Sequence, residues 1–86
     1  MPANGRDKEI LNELSQILRD LLDDQSIVLT METTRGDVPD WDSLVYVNFI
    51  VSAEMAFGVQ FRVADVEAFE AVGDIVAEIR HLLGET

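Results

Sequence analysis

An all-α fold, a small bundle of three main helices and one short helix, is what this sequence predicts, and three observations carry the expectation. Its 86 residues, 48 % of them hydrophobic, suffice for one domain with one modest core. Apolar residues recur at helical spacing towards both ends, with Gly, Asp and Pro between them as caps and breakers. No cysteine is present, so neither a disulfide framework nor a thiolate metal site can organise the chain.

The first helix is the plainest element. Ile10, Leu11, Leu14, Ile17, Leu18, Leu21 and Leu22 recur at three- and four-residue steps, and acids and Arg19 fill the other face. Asp23-Asp24-Gln25-Ser26 ends it. A long connection then runs from Gln25 to Asp42, with Ile27, Val28, Leu29 and Met31 as candidate anchors and Gly36 and Pro39 as breakers. A loop of that length in so small a domain is functional or pinned by its own apolar residues. The next stretch, Leu44 to Val51, is rich in β-branched and aromatic residues, and propensity alone makes it a strand. Three features outweigh propensity. Asp42 is a good N-cap, the helical pattern continues through Ser52 to Phe57 before Gly58, and the whole segment is longer than most strands. Leu44, Val47, Ile50, Val51 and Phe57 fit one face of that helix. Val59 to Phe61 reads as extended and Ala64 to Phe69 as a short helix. Gly73-Asp74 is the expected cap of a last helix striped by Ile75, Val76, Ile79, Leu82 and Leu83 and stopped by Gly84. With no repeats and no low-complexity tract, residues 1–86 are expected to form a single domain, its ordered core over about residues 8–83.

Charge narrows the function. A net charge of −11 repels phosphate backbones and anionic lipid, which argues against nucleic-acid and membrane-surface roles. It attracts basic patches on partner proteins and speeds encounter in a salt-dependent way, although solubility alone explains it equally well. Met1 to Lys8 carries no apolar core of a signal peptide, and the longest apolar region, Leu44 to Phe57, is too short to span a bilayer. A cytoplasmic protein is expected.

The residue with the most chemical promise is Ser43, in Asp40-Trp41-Asp42-Ser43-Leu44. It falls in the first turn of the central helix, where backbone N–H groups and the positive end of the dipole favour a phosphate. Taken alone, a serine beside a capping aspartate is usually just that. It lacks the flanking glycines of a nucleophile elbow, and nothing pairs it with His81, the only histidine, which reads as a surface residue near a helix C-terminus. No catalytic residue is assigned. Asp37, Asp40 and Asp42 do not follow the spacing of a calcium loop, and no metal site is expected. Arg35-Gly36-Asp37 matches an adhesion tripeptide by chance.

Context changes the weight of Ser43. Asp42-Ser43-Leu44 resembles the attachment motif of the acyl carrier protein family, and the resemblance extends along the chain. Met55-Ala56-Phe57-Gly58-Val59-Gln60-Phe61 is similar to the end of that family's second helix and the loop after it. Phe69-Glu70-Ala71-Val72-Gly73-Asp74-Ile75 resembles its approach into the last helix, and the stripe from Ile10 to Leu22 falls where its first helix lies. The likeness covers nearly everything from Lys8 to Leu83.

That resemblance implies an acyl-carrier-like bundle and no enzyme activity. A phosphopantetheinyl transferase, using coenzyme A and Mg²⁺, would attach a covalent 4′-phosphopantetheine arm to Ser43, and acyl-loading and acyl-processing enzymes with basic or apolar patches would be the other partners of a monomeric carrier. The implied docking surface is Asp42, Leu44, Val45, Tyr46, Val51 and Glu54, with Arg62 as a basic contact. Positions that match the family's acyl-chain lining are Ile50, Ala53, Phe57, Phe61, Val66, Phe69 and Ile75. They also read simply as core, and the bulk of Phe61 and Phe69 implies a small cavity and a short or polar cargo. Two departures bear on the pathway. Trp41 stands where housekeeping carriers have a small or aliphatic residue, so the motif is closer to specialised, free-standing carriers. The second helix is short of acids, which points to dedicated partners, with Tyr46 either exposed to them or packed. The rival readings are a peptidyl carrier loaded with aminoacyl groups and a helical interaction module that is never modified.

Overall fold

The computed structural model describes residues 5–84, and their order is α1 (Gly5–Leu22), a 3₁₀ turn (Arg35–Asp37), α2 (Ser43–Phe57), α3 (Val63–Ala68) and α4 (Val72–Leu82). Among these residues there is no strand. α1 packs against both α2 and α4, placing the longest helix at the centre of the bundle. Its stripe behaves as periodicity requires: Ile10, Leu14 and Leu18 are fully buried, and Leu11, Ile17 and Leu22 pack at the edge of the core. Asp23, at φ 52°, turns the chain out of the helix, and the Asp24 N–H returns to the Arg19 carbonyl at 3.0 Å. At the far end of the bundle, Arg80 Nη1 on α4 donates to Asp7 Oδ1 on α1 at 3.2 Å.

α2 forms despite its strand-like composition because its ends are well specified. Asp42 Oδ1 accepts the Val45 N–H at 2.9 Å, and Gly58 closes the helix at φ 66° with its N–H on the Glu54 carbonyl. Its buried face is not the one its spacing suggested. Phe49, Ile50 and Ala53 face the core, whereas Leu44, Val47 and Val51 are 70 %, 54 % and 46 % exposed. The helix is apolar almost all round, so periodicity had no polar face to orient it.

The connection from α1 to α2 is pinned at alternate residues. Ile27 and Leu29 are buried while Val28, between them, is exposed. The Leu29 N–H donates to the buried Ser15 hydroxyl at 3.2 Å, and Arg19 Nε donates to the Ile27 carbonyl at 2.6 Å. Further along, the loop supplies the start of α4. Val72 N–H donates to the Thr33 carbonyl and Gly73 N–H to the Met31 carbonyl, each at 2.8 Å. Gly73 is therefore not a cap but the second helical residue, and the reason for glycine is contact. A Cβ there would lie 2.7 Å from the Met31 carbonyl oxygen. Asp74 does the capping from inside the helix, accepting the Glu70 and Ala71 N–H groups at 2.9 and 3.1 Å. α3 begins at Val63, one residue ahead of the expected Ala64, and ends at Ala68.

Candidate functional site

Three successive residues set up the site at the start of α2. Asp40 takes φ 68°, a conformation that aspartate tolerates better than most residues, and this sharp turn sends Trp41 inward and Asp42 outward. Trp41 is 5 % exposed and meets Phe49 edge to face at 5.2 Å, which fastens the loop to α2. Ser43 follows as the first helical residue, exposed. The first helical hydrogen bond is the Tyr46 N–H to the Asp42 carbonyl, and the capping carboxylate takes the Val45 N–H. The Ser43 and Leu44 amides precede that ladder, beside the serine hydroxyl. A phosphate on Ser43 would find those amides and the positive end of a fifteen-residue helix.

Two cavities share part of their lining, and the serine borders one of them. One, of about 380 Å³, is lined by Ser43 with Arg35, Tyr46, Val47, Val66, Glu67 and Phe69. The other, of about 340 Å³, lies between the 33–36 loop, Trp41 and the Phe69–Val72 approach to α4. Arg35, Tyr46 and Phe69 line both and so form their common wall. That wall is built rather than incidental. The Tyr46 hydroxyl donates to the Val66 carbonyl at 2.8 Å, tying α2 to α3, and the Arg35 guanidinium carbon sits 4.6 Å from the Tyr46 ring centroid. Phe69 is held by an edge-to-face contact with Phe61 at 5.6 Å. Burial pushes the Tyr46 phenol pKa up, and the nearby Arg35 charge partly opposes that.

The expected docking residues divide. Asp42, Leu44, Val51 and Arg62 are exposed, with Arg62 paired to Asp65 at 3.4 Å. Val45 is half-buried. Glu54 turns inward, its Oε2 accepting the Phe61 N–H at 2.8 Å, and so fixes the loop after α2. Tyr46 is the packed aromatic of its two readings, a correction to its place on an exposed surface. In its stead the structure adds Val47 and Met55, the latter 80 % exposed, to a solvent-facing stripe with Leu44 and Val51. The expected acyl lining divides as well. Val66, Phe69 and Ile75 line the two cavities, but Ile50, Ala53, Phe57 and Phe61 line neither and belong to the core or its edge. Trp41 and Arg35 are among the lining residues that sequence reasoning missed. The position of Trp41 beside Ser43 was the available signal.

No family model matches the chain. A curated protein called acyl carrier protein, from Rhodococcus erythropolis, is 35 % identical over 78 residues, which are 91 % of this chain and 86 % of that one. The chain belongs to the acyl carrier protein family. The solution structure of a holo acyl carrier protein from Geobacter metallireducens superposes with a TM-score of 0.80 at 37 % identity, covering 87 % of this chain and 86 % of the other. Both the all-helical architecture and the carrier role expected of the sequence are thereby met. An acyl carrier is not an enzyme; it tethers and presents, and its prosthetic group is covalent 4′-phosphopantetheine. The start of α2 suits that group, since an exposed hydroxyl, free helix-end amides and an adjoining groove lie together. Trp41, which lines the other cavity, has its Nε1 buried without a hydrogen-bond partner among the described residues. No helix of the described chain is long and apolar enough to cross a membrane.

Proposed function

We propose that Ser43 carries the 4′-phosphopantetheine arm of this acyl carrier and that acyl groups ride on the arm's terminal thiol as thioesters. What supports the assignment above all is one juxtaposition: an exposed serine hydroxyl at the first residue of α2, capped by Asp42 and opening onto a cavity of about 380 Å³. In the loading step the Ser43 oxygen forms the new P–O bond and the diphosphate linkage of coenzyme A breaks. 3′,5′-ADP leaves, and the hydroxyl proton passes to a base on the transferase. The arm also supplies a thiol that a chain without cysteine lacks. Its tether gives partner enzymes a high local concentration of cargo while each docking remains weak enough to release.

The docking surface is the exposed side of α2, with Asp42 and Ser43 at its head and Leu44, Val47, Val51 and Met55 along it. Its only acidic member is Asp42, so we assign it to partners with an apolar groove and a basic rim. Such partners suit a specialised cytoplasmic pathway of lipid, polyketide or surface-polymer synthesis. Intact mass before and after incubation with coenzyme A, Mg²⁺ and a broad-specificity phosphopantetheinyl transferase tests the attachment. The expected result is a gain of one phosphopantetheine group that disappears in Ser43→Ala. A folded chain that gains nothing would refute the assignment.

A further inference from the structure

Four of the five arginines hold a carboxylate or a carbonyl among the described residues. Arg6 pairs with Glu9, Arg62 with Asp65 and Arg80 with Asp7, and Arg19 donates to the Ile27 carbonyl. Arg35 is the fifth. In a chain with seventeen acids, its guanidinium meets none of them among the described residues and rests on the Tyr46 ring. The acid nearest in sequence, Asp37, is already engaged, its Oδ2 accepting the Thr34 N–H at 2.9 Å. Asp37 thereby caps the 3₁₀ turn that presents Arg35, and the Val38 N–H closes that turn on the Arg35 carbonyl at 3.2 Å. Two residues earlier, the Thr33 carbonyl is tied to the first amide of α4. A solvent-facing guanidinium is thus offered from a fixed backbone, with its N–H donors unspent.

The group it faces is set by the helix. Tyr46 follows Ser43 by three residues, one turn along the same face, where side-chain roots lie about 5–6 Å apart. The Arg35 guanidinium carbon is 4.6 Å from the Tyr46 ring centroid, and Ser43, Arg35 and Tyr46 line one cavity. We infer that Arg35 pairs with the phosphodiester on Ser43 and so pins the root of the arm against the Tyr46 side of the groove. The inference rests on Ser43 bearing the arm. Chemistry favours the pair, because a guanidinium stacked on a ring keeps its edge free and its planar fork matches two phosphate oxygens. Charge requires something of the kind. Glu67 lines the same cavity and the Asp42 carboxylate caps the helix beside the serine, so both repel a new anion there. Arg35 is the one cation among the residues lining that cavity. Its exposure also suits a carrier: exposed ion pairs are weak and screened by salt, so Arg35 biases where the arm begins without preventing its departure to a partner enzyme.

The test loads the full chain from coenzyme A with a broad-specificity transferase, checks the product by intact mass, and records phosphorus and Arg Nε–H NMR resonances. The same loaded chain unfolded in urea gives the phosphorus reference. In the folded wild type the phosphorus resonance is expected away from that reference, and the Arg35 Nε–H resonance is expected to move on loading. Arg35→Gln should lose most of the phosphorus displacement and Arg35→Lys should keep part of it. Arg6→Gln, which removes an equal charge from an arginine paired on α1, should leave it unchanged. A displacement fully retained in folded Arg35→Gln, or lost equally in Arg6→Gln, would overturn the pairing. So would an Arg35 Nε–H resonance that stays put between the apo and loaded wild type, a readout that needs no variant. Failure to load is read from the masses, separately from the resonances, and would overturn the Ser43 assignment together with this inference.

Discussion

At the scale of single residues, Tyr46 connects the most parts of the site. Its hydroxyl holds α3 to α2 through the Val66 carbonyl, its ring carries Arg35, and the same ring lies tilted to Trp41 at 6.4 Å. Tyr46→Phe keeps the ring and deletes the bond, so urea unfolding should show a loss of about 0.5–1.5 kcal/mol. The phenol also ties stability to alkaline pH. Its folded pKa is raised above the usual 10.0, chiefly by burial, so the protonated form is the one the fold favours. The stabilisation is complete below pH 10 and drains away as pH rises through the folded value. Tyr46→Phe should lack that alkaline loss in melts taken across pH 9–12, a range of about one unit below and two above the reference. Ser43 and its Asp42 cap were legible in the sequence because capping is local chemistry. Trp41 was not, since nothing in Asp-Trp-Asp says that the backbone at Asp40 turns left-handed and drives the indole inward.

At the scale of elements, legibility followed amphipathicity. α1 alternates apolar and charged residues, so its stripe identified both the helix and its buried face. α2 has a start and a stop but almost no polar side. Its existence was therefore readable and its orientation was not, and the residues it leaves in water became visible only once Phe49, Ile50 and Ala53 were placed in the core. α4 shows how a tertiary contact overrides a local rule. Gly→Ala inside a helix ordinarily gains about 1 kcal/mol. Gly73→Ala should instead destabilise, because the new methyl would press on the Met31 carbonyl at 2.7 Å, a backbone atom that cannot step aside alone. Gly36→Ala is the control, since its nearest outside neighbour would be the Thr34 hydroxyl at 3.8 Å. Thermal melts of the two variants should separate, with the Gly73 variant the lower.

At the scale of the whole molecule, charge and size meet. The Cα radius of gyration is 11.9 Å, close to the Debye length of about 10 Å at 0.1 M salt. At about 0.01 M that length grows to about 30 Å, close to the molecule's longest extent of 32 Å, so nearly every carboxylate repels nearly every other. The melting temperature should rise monotonically between those ionic strengths and on towards 1 M, where screening is complete within a few ångströms. A flat salt series would mean that the net charge of −11 costs the folded state nothing. Composition alone supplied the sign of this effect; the radius supplied the salt range in which it acts.

The two 2.8 Å bonds by which the Thr33 and Met31 carbonyls receive the first amides of α4 give the long connection a clock. Those amides have no other acceptor in the helix ladder, so each exchanges its proton with solvent only when the loop lets go. Deuterium uptake at Val72 and Gly73 thus counts loop openings directly, at two positions in the backbone, whatever the side chains of the groove are doing at the time.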